Sequence, residues 1–313
     1  MSLDRVAEEL AAALPGAVAR DVPFADLSTY RVGGPVAVVA RAGSEAALAA
    51  VGGVVARHRP PVLVVGRGSN LLVADRGFDG LAVVLEGEFE EVELAAGGAG
   101  PPAVRAGGGV ALPVLARRAA AAGLTGLEFF VGIPGSVGGA VRMNAGGHGR
   151  ETHDVLERAW IVDLLAPPGE GAPSITVRTG AGLGLDYRHS NLSVAEVVVA
   201  AEFSATHDDA FACEERIAEI VRWRREHQPG GANAGSVFRN PPGDSAGRLI
   251  EASGLKGLRV GGAVVSQKHA NFFQAETGAT AGDVRRLVAE VQRRVADATG
   301  VELVPELRMV DGG

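Results

Sequence analysis

Apolar residues recur at helical spacing from Leu3 through Val6 and Leu10 to Leu14, and Pro15-Gly16 ends the run, which predicts a helix over residues 3–14. A mixed stretch follows, with strand 36–40, helix 44–58, and strands 62–65, 71–73 and 81–85. Between residues 92 and 203, short strands at 104–106, 156–164, 175–178 and 197–203 alternate with glycine-rich loops and one alanine-rich helix over 112–122. Residues 95–109 are rich in Gly and carry Pro101 and Pro102, so they read as a surface hairpin tip rather than a phosphate cradle. An amphipathic helix over 208–227 is broken by Gln228-Pro229-Gly230-Gly231. Beyond it the pattern predicts a short strand at 236–238, a helix over 245–252, strands 259–265 and 271–275, a helix over 280–298 and a last strand over 301–310. This order suits an α+β enzyme in three parts.

A chain of 313 residues is long enough for about two or three units that each bury a core. Cys213 is the one cysteine, which excludes an intramolecular disulfide and a cysteine metal cage and points to a reducing compartment. No apolar run approaches the roughly 20 residues that cross a bilayer. The opening MSLDRVAEEL has acids where a secretion signal needs cations, so a cytoplasmic chain is expected. A formal charge of −7 argues against nucleic acid or an anionic membrane as partner, while leaving room for a local cationic site. With 45 glycines, and Lys256 and Lys268 the only lysines among 30 basic residues, a lone GxG or Arg carries little information. The histidines are scattered without HExxH spacing, so no metal is expected, and neither GxxxxGK[ST] nor GxSxG occurs.

Two ordered constellations stand out. Gly66-Arg67-Gly68-Ser69-Asn70 lies between the apolar runs VLVV and LLVA. Leu71 stands where a dinucleotide fingerprint needs Gly, and no helix follows. The loop reads either as a simple β-turn or as a tight turn whose N–H groups form an anion nest, with Ser69 and Asn70 adding donors. Residues 132–149 (GIPGSVGGAVRMNAGGHG) form the densest glycine cluster, which points to close main-chain approach to a large flat or diphosphate ligand. Arg222, Arg224 and Arg225 fall in the last turns of the 208–227 helix, where cations are ordinary.

Taken in order, YRVGG (30–34), GRGSNLLVADRGFDGLAVV (66–84), GLEFFVGIPGSVGGAVRMNAGGHG (126–149), YRHS (187–190), the long block 234–272 and PELR (305–308) resemble the UDP-N-acetylenolpyruvoylglucosamine reductases. The resemblance spans residues 24–310. It implies an α+β chain with the vanillyl-alcohol-oxidase-type (PCMH-type) FAD-binding fold, in two subdomains at 1–88 and 89–203, followed by a substrate domain at 204–313. The implied activity is that of a peptidoglycan-precursor flavoenzyme: NADPH reduces a non-covalently held FAD, and hydride from flavin N5 goes to C3 of the enolpyruvyl UDP-sugar, giving UDP-N-acetylmuramate.

Carried over residue by residue, the resemblance makes Arg188, Ser236 and Glu306 catalytic, with Ser236 protonating C2. It places Gly66, Arg67, Gly68, Ser69, Asn70, Leu71, Pro134, Gly135, Ser136, Gly139, Arg142, Asn144, Gly146 and Arg224 at the cofactor. Tyr187, His227, Asn240, Lys256, His269 and Asn271 fall to the substrate. The chemistry agrees: hydride addition at C3 drives charge into the C2-carboxylate unit, which a guanidinium stabilises, and an enolic carbanion can draw a proton even from a serine. Tyr30 and Tyr187, the only tyrosines, both sit in motifs, so the chain matches the shorter type without a tyrosine-bearing substrate loop. His148 replaces the family's usual Tyr, and His227 replaces a cation that is commonly Lys before Gln-Pro. The competing readings are an FAD-dependent sugar or alcohol oxidase of the same fold and a non-catalytic flavin-binding derivative.

Overall fold

The computed structural model describes residues 2–95, 101–166 and 174–311. Their contacts divide into two compact units. The first comprises residues 1–20, 38–67 and 80–222, and the second 21–37, 68–79 and 223–313. Two short N-terminal segments therefore fold with the C-terminal part, a grouping that consecutive ranges along the chain do not express.

In the first unit, helices α1 (Leu3–Ala13) and α2 (Glu45–His58) pack together. A four-stranded sheet runs in the order Val18–Pro23, Pro35–Ala42, Phe78–Leu85, Val62–Val65, with its last pair parallel. Ser2 and Ser44 cap the two helices through their side chains, as the local polar-then-apolar pattern requires. The larger sheet is antiparallel throughout and runs Ile175–Thr179, Leu156–Asp163, Glu196–Ser204, Ala103–Gly107, Val92–Ala95. One of its faces closes a core with α3 (Leu112–Ala121) and α4 (Val137–Met143), around Phe129, Phe130 and Phe203. Val92–Ala95 and Ala103–Gly107 pair in antiparallel register as a hairpin would, and the tip expected there lies partly at 96–100, outside the described residues.

Helix α5 (Ala210–His227) follows the sheet. In the second unit, α6 (Ala246–Ala252) and α7 (Ala281–Thr299) pack with a three-stranded antiparallel sheet, Arg259–Val260, Ala263–Val265 and Phe273–Ala275. Val284, Leu287, Val288, Val291 and Val295 face the core at helical spacing. Thr280 and Asp283 form a capping box at the start of α7, and Asp75 reinforces it by accepting from Ala281 N at 2.7 Å and Gly282 N at 2.8 Å. Leu71–Val73, which leads to Asp75, pairs in parallel with Arg308–Val310.

Three expected strands change, the one over 236–238 being reduced to isolated bridges at Ser236 and Phe238. The strand expected over 259–265 is a tight hairpin, because Gly261 at φ +55° turns the chain. The strand expected over 301–310 survives only at Arg308–Val310; Pro305 offers no N–H to a ladder, so residues 304–307 pair with 237–239 through isolated bonds. Strand Val18–Pro23 and helix α4 were not legible in the hydrophobic pattern.

Candidate functional site

In the loop after Val62–Val65, Gly68 takes φ +59°, and a side chain there would run into Leu27 O and Ser28 Cα. Among the described residues, the main-chain N–H groups of Arg67, Gly68 and Ser69 donate to no protein acceptor. Consecutive donors at a left-handed glycine form a concave set that suits an anionic diphosphate. Asn70 is turned differently: its Nδ2 donates to Glu306 O at 3.2 Å, and its carbonyl accepts from Arg308 N at 3.0 Å.

The glycine cluster folds around α4. Ser136 Oγ caps the helix by accepting from Gly139 N at 3.3 Å, while Gly135 O and the N–H of Val137 fasten the loop to Leu112 and Val110. Part of the glycine density serves protein packing. A Cβ on Gly138 would lie 3.2 Å from the carbonyls of Gly108 and Val198, one on Gly66 would strike Ser136 Oγ, and one on Gly146 would meet Glu151 Cγ at 2.7 Å. Pro134 precedes this turn, and Arg142 in the last turn of α4 donates to Ser193 O at 2.8 Å.

Arg188, at φ +54°, extends its guanidinium over the Tyr187 ring and reaches Glu151 Oε1 at 3.4 Å and Gly146 O at 3.5 Å. The other Glu151 oxygen accepts from Asn144 Nδ2 at 2.8 Å. Asn144 is fully buried, and it also donates to Asp186 O and accepts from His153 N. Arg188, Asn144 and Gly146, expected from sequence, are thus brought together. Glu151 was not among the expected residues. It sits just past the glycine cluster, and its partner lies 37 residues further on, a separation that no local spacing rule detects.

In the second unit three distant stretches meet. Ser236 bridges Phe272, and Val237 N donates to Asn271 O at 2.8 Å. On the other side of the same segment, Glu306 N donates to Val237 O at 2.8 Å. Ser236, Asn271 and Glu306 are therefore neighbours through their main chains. Asn271 is buried, with its side-chain amide closed on Phe238: Nδ2 donates to Phe238 O at 2.8 Å and Oδ1 accepts from Phe238 N at 3.0 Å. Asn240 Oδ1 accepts from Ala246 N at 3.1 Å at the start of α6. His269 Nδ1 accepts from Asn271 N at 3.2 Å; burial, joined by the charge of Lys256, pushes its pKa down, so the ring stays neutral with its proton on Nε2. Lys256 pairs with Glu251 at 2.7 Å.

At the end of α5, Arg224 Nε donates to Gln228 Oε1 at 2.9 Å, and burial pulls its pKa below the usual arginine range. His227 is exposed. Its ring stacks on Trp223 at 4.6 Å, and its Nδ1 donates to Trp223 O at 2.8 Å, as a side chain closing a helix end does. Among the described residues no group of three or more His, Cys, Asp or Glu could hold a metal ion, and no helix is long and apolar enough to cross a membrane.

Residues 36–165 match the FAD binding domain family, and residues 226–310 match the C-terminal domain of UDP-N-acetylenolpyruvoylglucosamine reductase. The chain is 43% identical over 304 residues to the UDP-N-acetylenolpyruvoylglucosamine reductase of Acidiphilium cryptum, covering 96% of this chain and 94% of that one. The enzyme of the same name from Carboxydothermus hydrogenoformans is 38% identical over 312 residues, covering 99% of each. Among solved structures, the reductase of Thermus caldophilus superposes with a TM-score of 0.78 at 37% identity, covering 93% of this chain and 98% of that one.

Proposed function

The chain belongs to the UDP-N-acetylenolpyruvoylglucosamine reductases, FAD-containing enzymes with NADPH as reductant, and from that premise we propose how its own residues carry the reaction. FAD, when bound, supplies the redox chemistry, taking a hydride from NADPH and delivering one to C3 of the enolpyruvyl group. The N–H groups of residues 67–69 would hold its diphosphate, and residues from Pro134 to Gly146 would bind it too. Arg188 binds the substrate carboxylate and offsets the negative charge that grows there as C3 is reduced. Glu151 and Asn144 hold that guanidinium in place. Ser236 Oγ gives its proton to C2, where positioning outweighs the weak acidity of a hydroxyl. Glu306 orients or polarises the carboxylate.

Tyr187, His227, Asn240, Lys256 and His269 serve the UDP-sugar, and residues 1–88 and 89–203 serve the cofactor while 204–313 serve the substrate. His269, neutral, acts there as a donor through Nε2 rather than as a cation. A cytoplasmic setting suits the small-molecule substrates. The observation that carries the reading is the main-chain bond from Glu306 to Val237, which seats the proposed polarising acid beside the proposed proton donor. The test is stoichiometry: purified enzyme should oxidise one NADPH for each enolpyruvyl UDP-sugar reduced, without oxygen. NADPH oxidation that depends on oxygen and ignores the UDP-sugar would refute it.

A further inference from the structure

Asn271 has the composition of a ligand contact and the placement of a clamp. It is 3% exposed, and its side chain is occupied on both sides by one residue, with Nδ2 on Phe238 O and Oδ1 on Phe238 N. Its main-chain carbonyl accepts from Val237 N, and the next residue, Phe272, bridges Ser236. A side-chain amide that both donates to and accepts from the main chain of one residue reproduces a strand pairing where no regular strand exists. Residues 236–238 have only isolated bridges, since Pro305 interrupts the ladder on their other flank. The amide therefore replaces part of the ladder that this segment lacks.

We propose that Asn271 is the positioning residue for Ser236: it fixes the backbone of residues 236–238 so that the Ser236 hydroxyl is aimed at C2, and it does not itself contact the UDP-sugar. This rests on the proton-donor reading of Ser236. The consequence is specific. A loose segment leaves the serine present but misaimed, and misplacement of about 1 Å costs a reaction on the order of 10²-fold. Hydride uptake from NADPH needs no aimed hydroxyl and is untouched. Because Asn271 N also donates to His269 Nδ1, the same residue keeps the His269 proton on Nε2.

The experiment is a double-mutant cycle on the FAD-loaded enzyme, with Asn271→Leu, Ser236→Ala and the pair, each read by flavin reduction, flavin reoxidation, substrate Kd and Tm. Asn271→Leu should slow reoxidation by the UDP-sugar about 10- to 100-fold, leave reduction by NADPH within two-fold and leave substrate Kd within about three-fold. On a Ser236→Ala background the same change should slow reoxidation less than about three-fold, because the hydroxyl it aims is gone. Asn271→Asp, close in size, keeps the acceptor for Phe238 N and loses the donor to Phe238 O; it should show the same split and is the variant to read if Leu does not fold. Equal slowing on both backgrounds, a weakened substrate Kd with normal reoxidation, or a parallel loss of both half-reactions would overturn the proposal. If Ser236→Ala itself reoxidises normally, the proton-donor reading fails first, and the cycle shows that separately.

Discussion

A methyl group on Gly66 would strike Ser136 Oγ and lie 3.3 Å from Ser136 Cβ. Gly66 does not occupy the left-handed region, so alanine costs nothing in backbone strain and reports the close approach alone. To make room, Ser136 must leave Gly139 N, and a lost cap costs about 1 kcal/mol in the helix that the glycine cluster builds. Gly66→Ala should therefore bind FAD roughly five-fold more weakly, measured by fluorescence quenching on titrating apoenzyme. An unchanged FAD Kd would detach this contact from the cofactor. At the residue scale the sequence offered its candidates through long ordered motifs, as for Arg188, Ser236 and Glu306. It was silent on what each side chain holds. Asn70 and Asn271 stand in motifs that the resemblance assigns to the ligands, and both spend their amides on protein backbone. His227 reads as a stand-in for a cation, and the structure stacks it on Trp223 at a helix end.

Helix α5 is tied to the turn before α4 by a charged cluster. Glu128, 8% exposed, accepts from Thr125 Oγ1 at 2.6 Å, Gly126 N at 2.7 Å and Arg216 Nε at 2.9 Å. Burial works to raise its carboxyl, and these donors together hold it below the ordinary range. A carboxyl depressed on folding stabilises the native state at pH above its unfolded value of about 4.3, and that stabilisation fades as pH falls through the folded value. Glu128→Gln should lose about 1–3 kcal/mol at pH 7, and its deficit in Tm relative to wild type should shrink on acidification below pH about 4. A deficit that stays constant down to pH 3 would show that the charge is not what matters. Most helices were legible because period and caps agree, as with Thr280, Asp283 and the apolar stripe of α7. Helix α4 was not, since its glycines hide any periodicity and its start depends on the Ser136 cap.

For the whole molecule, the ordered blocks that carry the family resemblance pointed to an α+β flavoenzyme, while the pairing of distant segments leaves little mark in a linear reading. Residues 21–37 and 68–79 join the C-terminal part through pairings such as Leu71–Val73 with Arg308–Val310 and the Asp75 cap on α7. Such contacts span more than 200 residues and leave no local signature. Shorter-range assembly in the same unit brings Val237 against Glu306 and Asn271, beside the Ser236 proposed to supply the proton in the second half-reaction. Stopped-flow measurement on Ser236→Ala tests that role most directly. Bleaching of the flavin by NADPH should match wild type, while reoxidation by the enolpyruvyl UDP-sugar should slow about 10² to 10⁴-fold with substrate Kd little changed. Reoxidation at the wild-type rate, or equal slowing of both half-reactions, would contradict it.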